Sequence, residues 1–245
     1  MQEKFAIELK RSLSTERLEG YRQRGATLKA DNPDNLFSHY AWNIALSESL
    51  YAPLQCLEVC LRNSLHNAII GKCGRKDWYD ASVLIGAEDI QRVQKAKDRL
   101  TERNKPTDPG HIIAELTFGF WTSLFDKRYE QSLCNQILSP VFPHMPRYIR
   151  KRSTVSSHLN DIRNLRNRVF HHEPIWHWAD LSNHHQKIYT VMEWINPSMC
   201  TFVKEIDRFP LVCQTGLVGY QDIISKITQP EEVSASKVES EKSSR

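Results

Sequence analysis

Residues Asn35–Ile70 read NLFSHYAWNIALSESLYAPLQCLEVCLRNSLHNAII. Tyr40, Ile44, Leu50, Leu54, Leu57, Leu61, Leu65 and Ile69 recur in this stretch at steps of three and four, with one longer gap. That is the period of an α-helix laying one apolar stripe on a core. Pro53 lacks a backbone donor and crowds the preceding turn, so a kink or split is expected there. Gly71 and Gly74 are expected to end the pattern.

The same period extends outward in both directions. Glu3–Lys10 is predicted helical, and a second helix follows Ser14, a good N-cap, through Leu18 and Tyr21 to about Gly25. Further helices are predicted over Asp89–Asn104, His111–Phe125, Arg128–Leu138, Thr154–Phe170, Asp180–Ile195 and Met199–Phe209. Pro106–Gly110 reads as a turn and Pro140–Pro146 as a loop. Alternating β-type patterns are scarce, and the whole chain holds only 9 glycines. The fold class is therefore all-α: one helical domain over residues 1–227, followed by a Ser/Glu/Lys-rich tail over 228–245 that is expected to be disordered.

With 245 residues, 40% hydrophobic and 25% charged, the chain can bury a full core without disulfide help. A formal charge of +4 permits an anionic partner without demanding one. The opening MQEKFAIELKR is too charged for a signal peptide, and no apolar run approaches the ~20 residues of a membrane span, so no membrane partner is expected. Six scattered cysteines form no C-x-x-C pair and read as reduced thiols of a cytoplasmic protein.

Leu165–Ile175, LRNRVFHHEPI, carries the chemistry. Pro174 must stop the helix near His171–His172. On an unbroken helix Arg166 and His171 would stand ~140° apart, so the break is expected to let the histidines fold back toward the arginine. Arginine and histidine together suit RNA cleavage without a metal. RNA carries its own nucleophile, the 2′-OH. Histidine can take that proton or protonate the leaving 5′-oxygen, and arginine can grip the phosphate with its planar fork. Against this stands a plainer reading: basic residues in the last turn of a helix often only complement its dipole.

Four blocks in order sharpen the choice: LSTERLEGY (Leu13–Tyr21), YAWNIALSESLYAPLQCLEVCLRNSLHNAI (Tyr40–Ile69), AELTFGFWTSLF (Ala114–Phe125), and LRNRVFHHEPI with the WINP of Trp194–Pro197. In these the chain resembles the Abi-like (abortive-infection) family of the HEPN superfamily. That family's signature is an arginine, a polar residue, three variable residues and a histidine. Here it falls on Arg166, Asn167 and His171. The resemblance implies a HEPN-like helical bundle and a metal-independent endoribonuclease acting as a toxin or phage-defence effector. It implies a homodimer that brings two motifs into one cleft, an RNA substrate, no cofactor, and a protein or RNA antitoxin as a further partner. Asn167 would orient the pair. His172 is either a second acid/base or a capping residue. The rival reading is a non-catalytic HEPN module that binds RNA or a protein.

Elsewhere Glu58, Arg62 and His66 share a helix face at i, i+4, i+8, beside Asn63, and suit an ion pair with Arg62 near the cleft. Arg147, Tyr148, Arg150, Lys151 and Arg152 form a basic run that either follows an RNA backbone or is a solvated loop. Arg163 and Arg168, on the motif helix, complete the RNA-binding candidates. The histidines from His171 to His185 do not make a zinc motif, because HHEPIWH lacks the helical H-E-x-x-H spacing, and no metal is expected. His184 and His185 read as surface groups at a helix start. Trp176, Trp178 and Trp194 read as core or dimer contacts.

Overall fold

A computed structural model describes residues 2–22 and 33–228. All regular structure among the described residues is helical. The order is α1 (Gln2–Leu13), α2 (Thr15–Arg22), α3 (Pro33–Ser49), α4 (Tyr51–Cys73), α5 (Ala87–Glu102), α6 (Pro109–Glu115), α7 (Phe118–Ser123), α8 (Asn135–Val141), α9 (Arg152–Phe170), α10 (Leu181–Ile195), α11 (Pro197–Ile206) and α12 (Phe209–Thr228). Short 3₁₀ turns lie at Trp78–Asp80 and Lys127–Tyr129, and a π-helical turn at Glu130–Cys134 leads into α8. The expected tail, beyond Thr228, and the end of the second helix near Gly25 fall outside the described residues.

Where the sequence reading treats 1–227 as one domain, the structure groups the chain into two compact units. One is drawn from the two ends, up to Leu46 and from Pro210; the other is Ser47–Phe209. In the first unit Leu18, Phe37 and Ile224 form a buried cluster with Ala6, Leu9, Leu13, Leu36 and Ala41 packed on it. Tyr21 meets Tyr40 edge to face at 5.3 Å, and the Gln221 amide donates to Asn35 Oδ1 at 2.8 Å.

The second unit is built around α4. Its Leu54, Leu57, Leu61, Leu65 and Ile69 are buried, and α7, α8, α10 and α11 pack against it. The long stripe does split, but at Leu50; Pro53 sits in the first turn of α4, where its missing N–H costs no hydrogen bond. Gly71 continues the helix. Gly74 ends it at φ +73°, a left-handed position that suits glycine, with its N–H donating to Ile70 O at 2.7 Å. The predicted 111–125 helix is two helices, because Leu116 and Thr117 are extended. Trp78, Phe120 and Trp121 form an aromatic cluster in this core. Trp194 packs on Phe142 and His158, as the core reading expects.

A polar network missed by the sequence reading is buried beside this core. Asp89, in the first turn of α5, is fully buried. Its Oδ1 accepts from Ser123 Oγ at 2.8 Å and from Arg92 at 3.0 Å. Its Oδ2 accepts from Tyr129 Oη and Arg128, both at 2.8 Å. Burial, with Asp89 beside it, pushes the Tyr129 hydroxyl up to about 12, so it remains a donor. Gly86 leaves room for this network: a Cβ there would stand 2.9 Å from the Arg128 guanidinium and from Asp89 Oδ2, so a larger residue would require the network to shift.

Candidate active site at the end of α9

Helix α9 buries Val155, Leu159, Ile162, Leu165 and Val169 along one stripe. The opposite face therefore carries Asp161, Asn164, Arg168 and, at the end, His171, at the three- and four-residue steps of a single surface. Asn167 stands ~40° around the helix from His171, next to that face.

The helix terminates as the proline requires. His172 adopts a left-handed backbone, φ 58°. Its N–H donates to Val169 O at 3.1 Å, and the Glu173 N–H reaches back to Arg168 O at 2.8 Å. These two bonds make a Schellman closure with histidine in the place usually held by glycine. Arg168 fastens the turn from outside. It lies 3.6 Å from Glu173 Oε2, donates to Pro174 O at 3.3 Å, and covers the Trp178 ring at 5.2 Å.

The motif side chains then divide. Asn167 and His171 are exposed, and neither side chain has a hydrogen bond or ion pair among the described residues. His172 is exposed beside them. Arg166 turns elsewhere. Its guanidinium lies 3.5 Å from Glu58 Oε2 on α4 and 4.5 Å over the Phe170 ring, which in turn meets Tyr51 at 6.1 Å. Among the described residues His171 and Arg166 make no hydrogen bond to each other: the closure leaves His171 at the helix end while Glu58 and Phe170 engage the arginine. The Nε atoms of Arg62 and Arg166 are both buried without a hydrogen-bond partner.

Glu58 serves Arg166, where the sequence spacing suggests a pair with Arg62. His66 is a structural group. Its Nδ1 accepts from Trp78 Nε1 at 2.9 Å, and burial, with Lys76 adding to it, pulls its pKa down. Asn63 is exposed.

The basic run also divides. Arg150 donates to the carbonyls of Met145 and Pro143 and to Ser139 Oγ, tying the 139–150 loop together. Arg152 donates to Phe125 O at 3.1 Å and lies 3.4 Å from Glu130. Arg163 reaches Thr122 Oγ1 at 3.4 Å. Arg147, Tyr148 and Lys151 remain exposed, Tyr148 at 80%.

No family model, curated protein or solved structure matches the chain. The site is therefore read from its own geometry. Among the described residues no three His, Cys, Asp or Glu side chains converge as a metal site would require, and no helix is long and apolar enough to cross a membrane. All six cysteines are free thiols, Cys60, Cys134 and Cys200 being buried.

Two histidines need correction. His185 is buried, 2.6 Å from Asp207 Oδ2, which also accepts from Tyr189 Oη at 2.6 Å. Burial raises the Asp207 carboxyl, but these bonds and the Phe209 N–H outweigh it and hold the carboxyl below its usual range. His184 is half-buried against the Trp178 edge at 4.9 Å, and burial lowers its pKa. The sequence signal for this pair was faint, since the acceptor for His185 lies 22 residues away.

Beside Asn167 the surface opens into a groove of about 440 Å³. Asp161, Asn164, Asn167 and Arg168 line it from α9, and Glu173, Trp178 and His184 from the segment that follows. The repeat of asparagine at 164 and 167 on the polar face was visible in the sequence; the Trp178 wall was not, because only the turn at 171–174 brings it round.

Proposed function

We propose that this chain is a metal-independent endoribonuclease of the Abi-like HEPN kind, with Arg166, Asn167 and His171 as its reacting set. The observation that carries the reading is the end of α9. There, a histidine able to exchange protons and an asparagine able to exchange hydrogen bonds stand in solvent one turn apart, with no side-chain partner among the described residues. The structural histidines His66 and His185 are each hydrogen-bonded. His171 is not.

The RNA 2′-oxygen attacks the adjacent phosphorus, its proton passing to an imidazole. The bond from phosphorus to the 5′-oxygen breaks, and that oxygen takes a proton from a second acid. The products are a 2′,3′-cyclic phosphate and a 5′-hydroxyl. Base and acid must lie on opposite sides of the phosphate. Within one chain Arg166 and His171 point ~140° apart on the helix, so a twofold pairing of two α9 ends supplies what one copy lacks. A homodimer is therefore part of the proposal. A species that sediments as a monomer at micromolar concentration and still cuts RNA would refute that part.

In the cell such an enzyme halts growth as a toxin or phage-defence effector and requires an antitoxin, protein or RNA. A second reading has its own support. Arg166 is already engaged by Glu58 and Phe170, as suits a module that binds RNA or a protein without cutting. The experiment is direct. Total RNA is incubated with purified protein in EDTA, and the product ends are mapped. Cyclic-phosphate and 5′-hydroxyl ends are expected; intact RNA, or cleavage that needs a divalent ion, overturns the proposal.

A further inference from the structure

The groove beside Asn167 is lined by groups that suit one kind of ligand. Asn164 and Asn167 present two exposed carboxamides three residues apart, and neither has a hydrogen-bond partner among the described residues. Together they offer four amide N–H donors and two carbonyl acceptors. Trp178 and His184 form an aromatic wall in edge contact. Arg168 lies over the indole, and the Trp178 backbone N–H donates to Ile175 O at 3.0 Å, which holds the residue in the turn. The His184 Nδ1 is buried and unsatisfied, and burial keeps that ring biased to its neutral form.

Charge then decides between the parts of a nucleotide. The lining has one cation, Arg168, already committed to Glu173, Pro174 and Trp178. It has two carboxylates, and each holds a cation: Asp161 is paired with Lys187 and Glu173 with Arg168. A phosphodiester would find no free cation here, since Arg168 and Lys187 are each held by a carboxylate, and it would leave water without a counter-charge. An uncharged planar heterocycle with a polar edge faces no such penalty. The carboxylates accept from an exocyclic amino group, and an asparagine can pair in two places with adenine.

We propose that this groove is a nucleobase subsite selecting a base that bears an exocyclic amino group (adenine, cytosine or guanine) over uracil. The inference rests on the reading that the end of α9 meets RNA, and it makes the groove the source of sequence preference. Asn167 borders both the groove and the motif, so the selected base belongs to a nucleotide flanking the scissile phosphate. Asn164 is a specificity residue: it shares the groove but lies outside the reacting set.

Two measurements test this. First, wild type and Asn164→Ala are titrated with uncleavable 2′-O-methyl oligonucleotides of A, C, G and U. Wild type should bind the amino-bearing series about tenfold more tightly than U, and Asn164→Ala should level the series, since one lost hydrogen bond to a base is worth about 1 kcal/mol or more. Gln136→Ala, in the separate groove between α4 and α8, should bind as wild type does. Second, the 5′-hydroxyl ends produced from a random RNA pool are sequenced for the same proteins. Wild type should deplete uracil at one position beside the cut, and Asn164→Ala should lose that bias. Asn164 is exposed, so the variant is expected to fold. Base-selective binding with no cleavage upholds the subsite and overturns the enzyme. Cleavage with equal affinity for all four series, or a bias unchanged in Asn164→Ala, overturns the subsite and leaves the enzyme standing. No RNA binding at all overturns both.

Discussion

Around Asp89 each carboxylate oxygen accepts two hydrogen bonds, and the residue is shut away from water. At the end of α9, Asn164, Asn167 and His171 face water with no side-chain partner among the described residues. Both clusters belong to the same helical unit, and both are polar. The first is satisfied from within and holds α5, α7 and the 127–129 turn together. The second is left open by a helix closure made of two backbone bonds and the Arg168 side chain, which uses none of the three side chains. A polar group whose partners are all internal has nothing left to offer a ligand; one with none is available to it. On the proposed reading Asp89 is a structural group and His171 is the one left available to a substrate.

Breaking the first cluster should give the largest loss of stability. Asp89→Ala removes the acceptor from Tyr129, Ser123 and two partly exposed arginines. Urea unfolding should show a loss on the order of 3 kcal/mol, because the buried Tyr129 hydroxyl loses its acceptor and the two arginines lose their shared counter-charge. A loss under about 1 kcal/mol would mean that water or a neighbour takes the place of the carboxylate.

The basic run repeats the contrast on a smaller scale. Arg150→Ala should cost roughly 1–2 kcal/mol by freeing the Met145 and Pro143 carbonyls. Lys151→Ala should change stability by no more than about 0.5 kcal/mol. It should instead weaken RNA binding and reduce the slope of log affinity against log salt by about one. If Arg150→Ala alters binding while leaving melting unchanged, the division of the run is wrong.

The smallest effects are those of pH. His66 and His184 have folded pKa values below their ordinary ones, so the unfolded chain binds protons first as pH falls. Their effect is a loss of stability that begins as pH drops through about 6.5. Asp207 has a depressed folded pKa, so its contribution is complete above about 4 and is lost as pH falls below that. Denaturant midpoints from pH 8 to 3 should therefore fall in two stages. His66→Gln should flatten the upper stage and Asp207→Asn the lower. A wild-type midpoint that is level between pH 7 and 5 would contradict the first assignment.

Much of the fold was legible because helical period is a local signal. The stripe from Leu50 to Ile69 and the stop at Gly74 follow from neighbours in sequence; Ile44, read into the same stripe, is exposed instead. The break at Leu116–Thr117 was hidden, since an apolar run looks the same whether one helix or two bury it. The helix α12 carries Gly216 at φ 60° inside a region whose apolar spacing is irregular, and it was not read as a helix. At the site, the end of α9 was visible in Pro174. The partners of Arg166, Arg150 and His185 were not, because a cation's choice between solvent, carboxylate and carbonyl is settled by residues far along the chain. Glu58, 108 positions before Arg166, is the clearest case.

The account turns on His171. Its most direct test is the cleavage rate of His171→Ala on RNA in EDTA, read beside its melting temperature. The imidazole is exposed and has no hydrogen-bond partner among the described residues, so its removal should leave melting within a few degrees of wild type. Loss of a transition-state proton transfer should cut the rate a hundredfold or more, about 3 kcal/mol. A folded His171→Ala variant that cleaves RNA as fast as wild type would contradict the account.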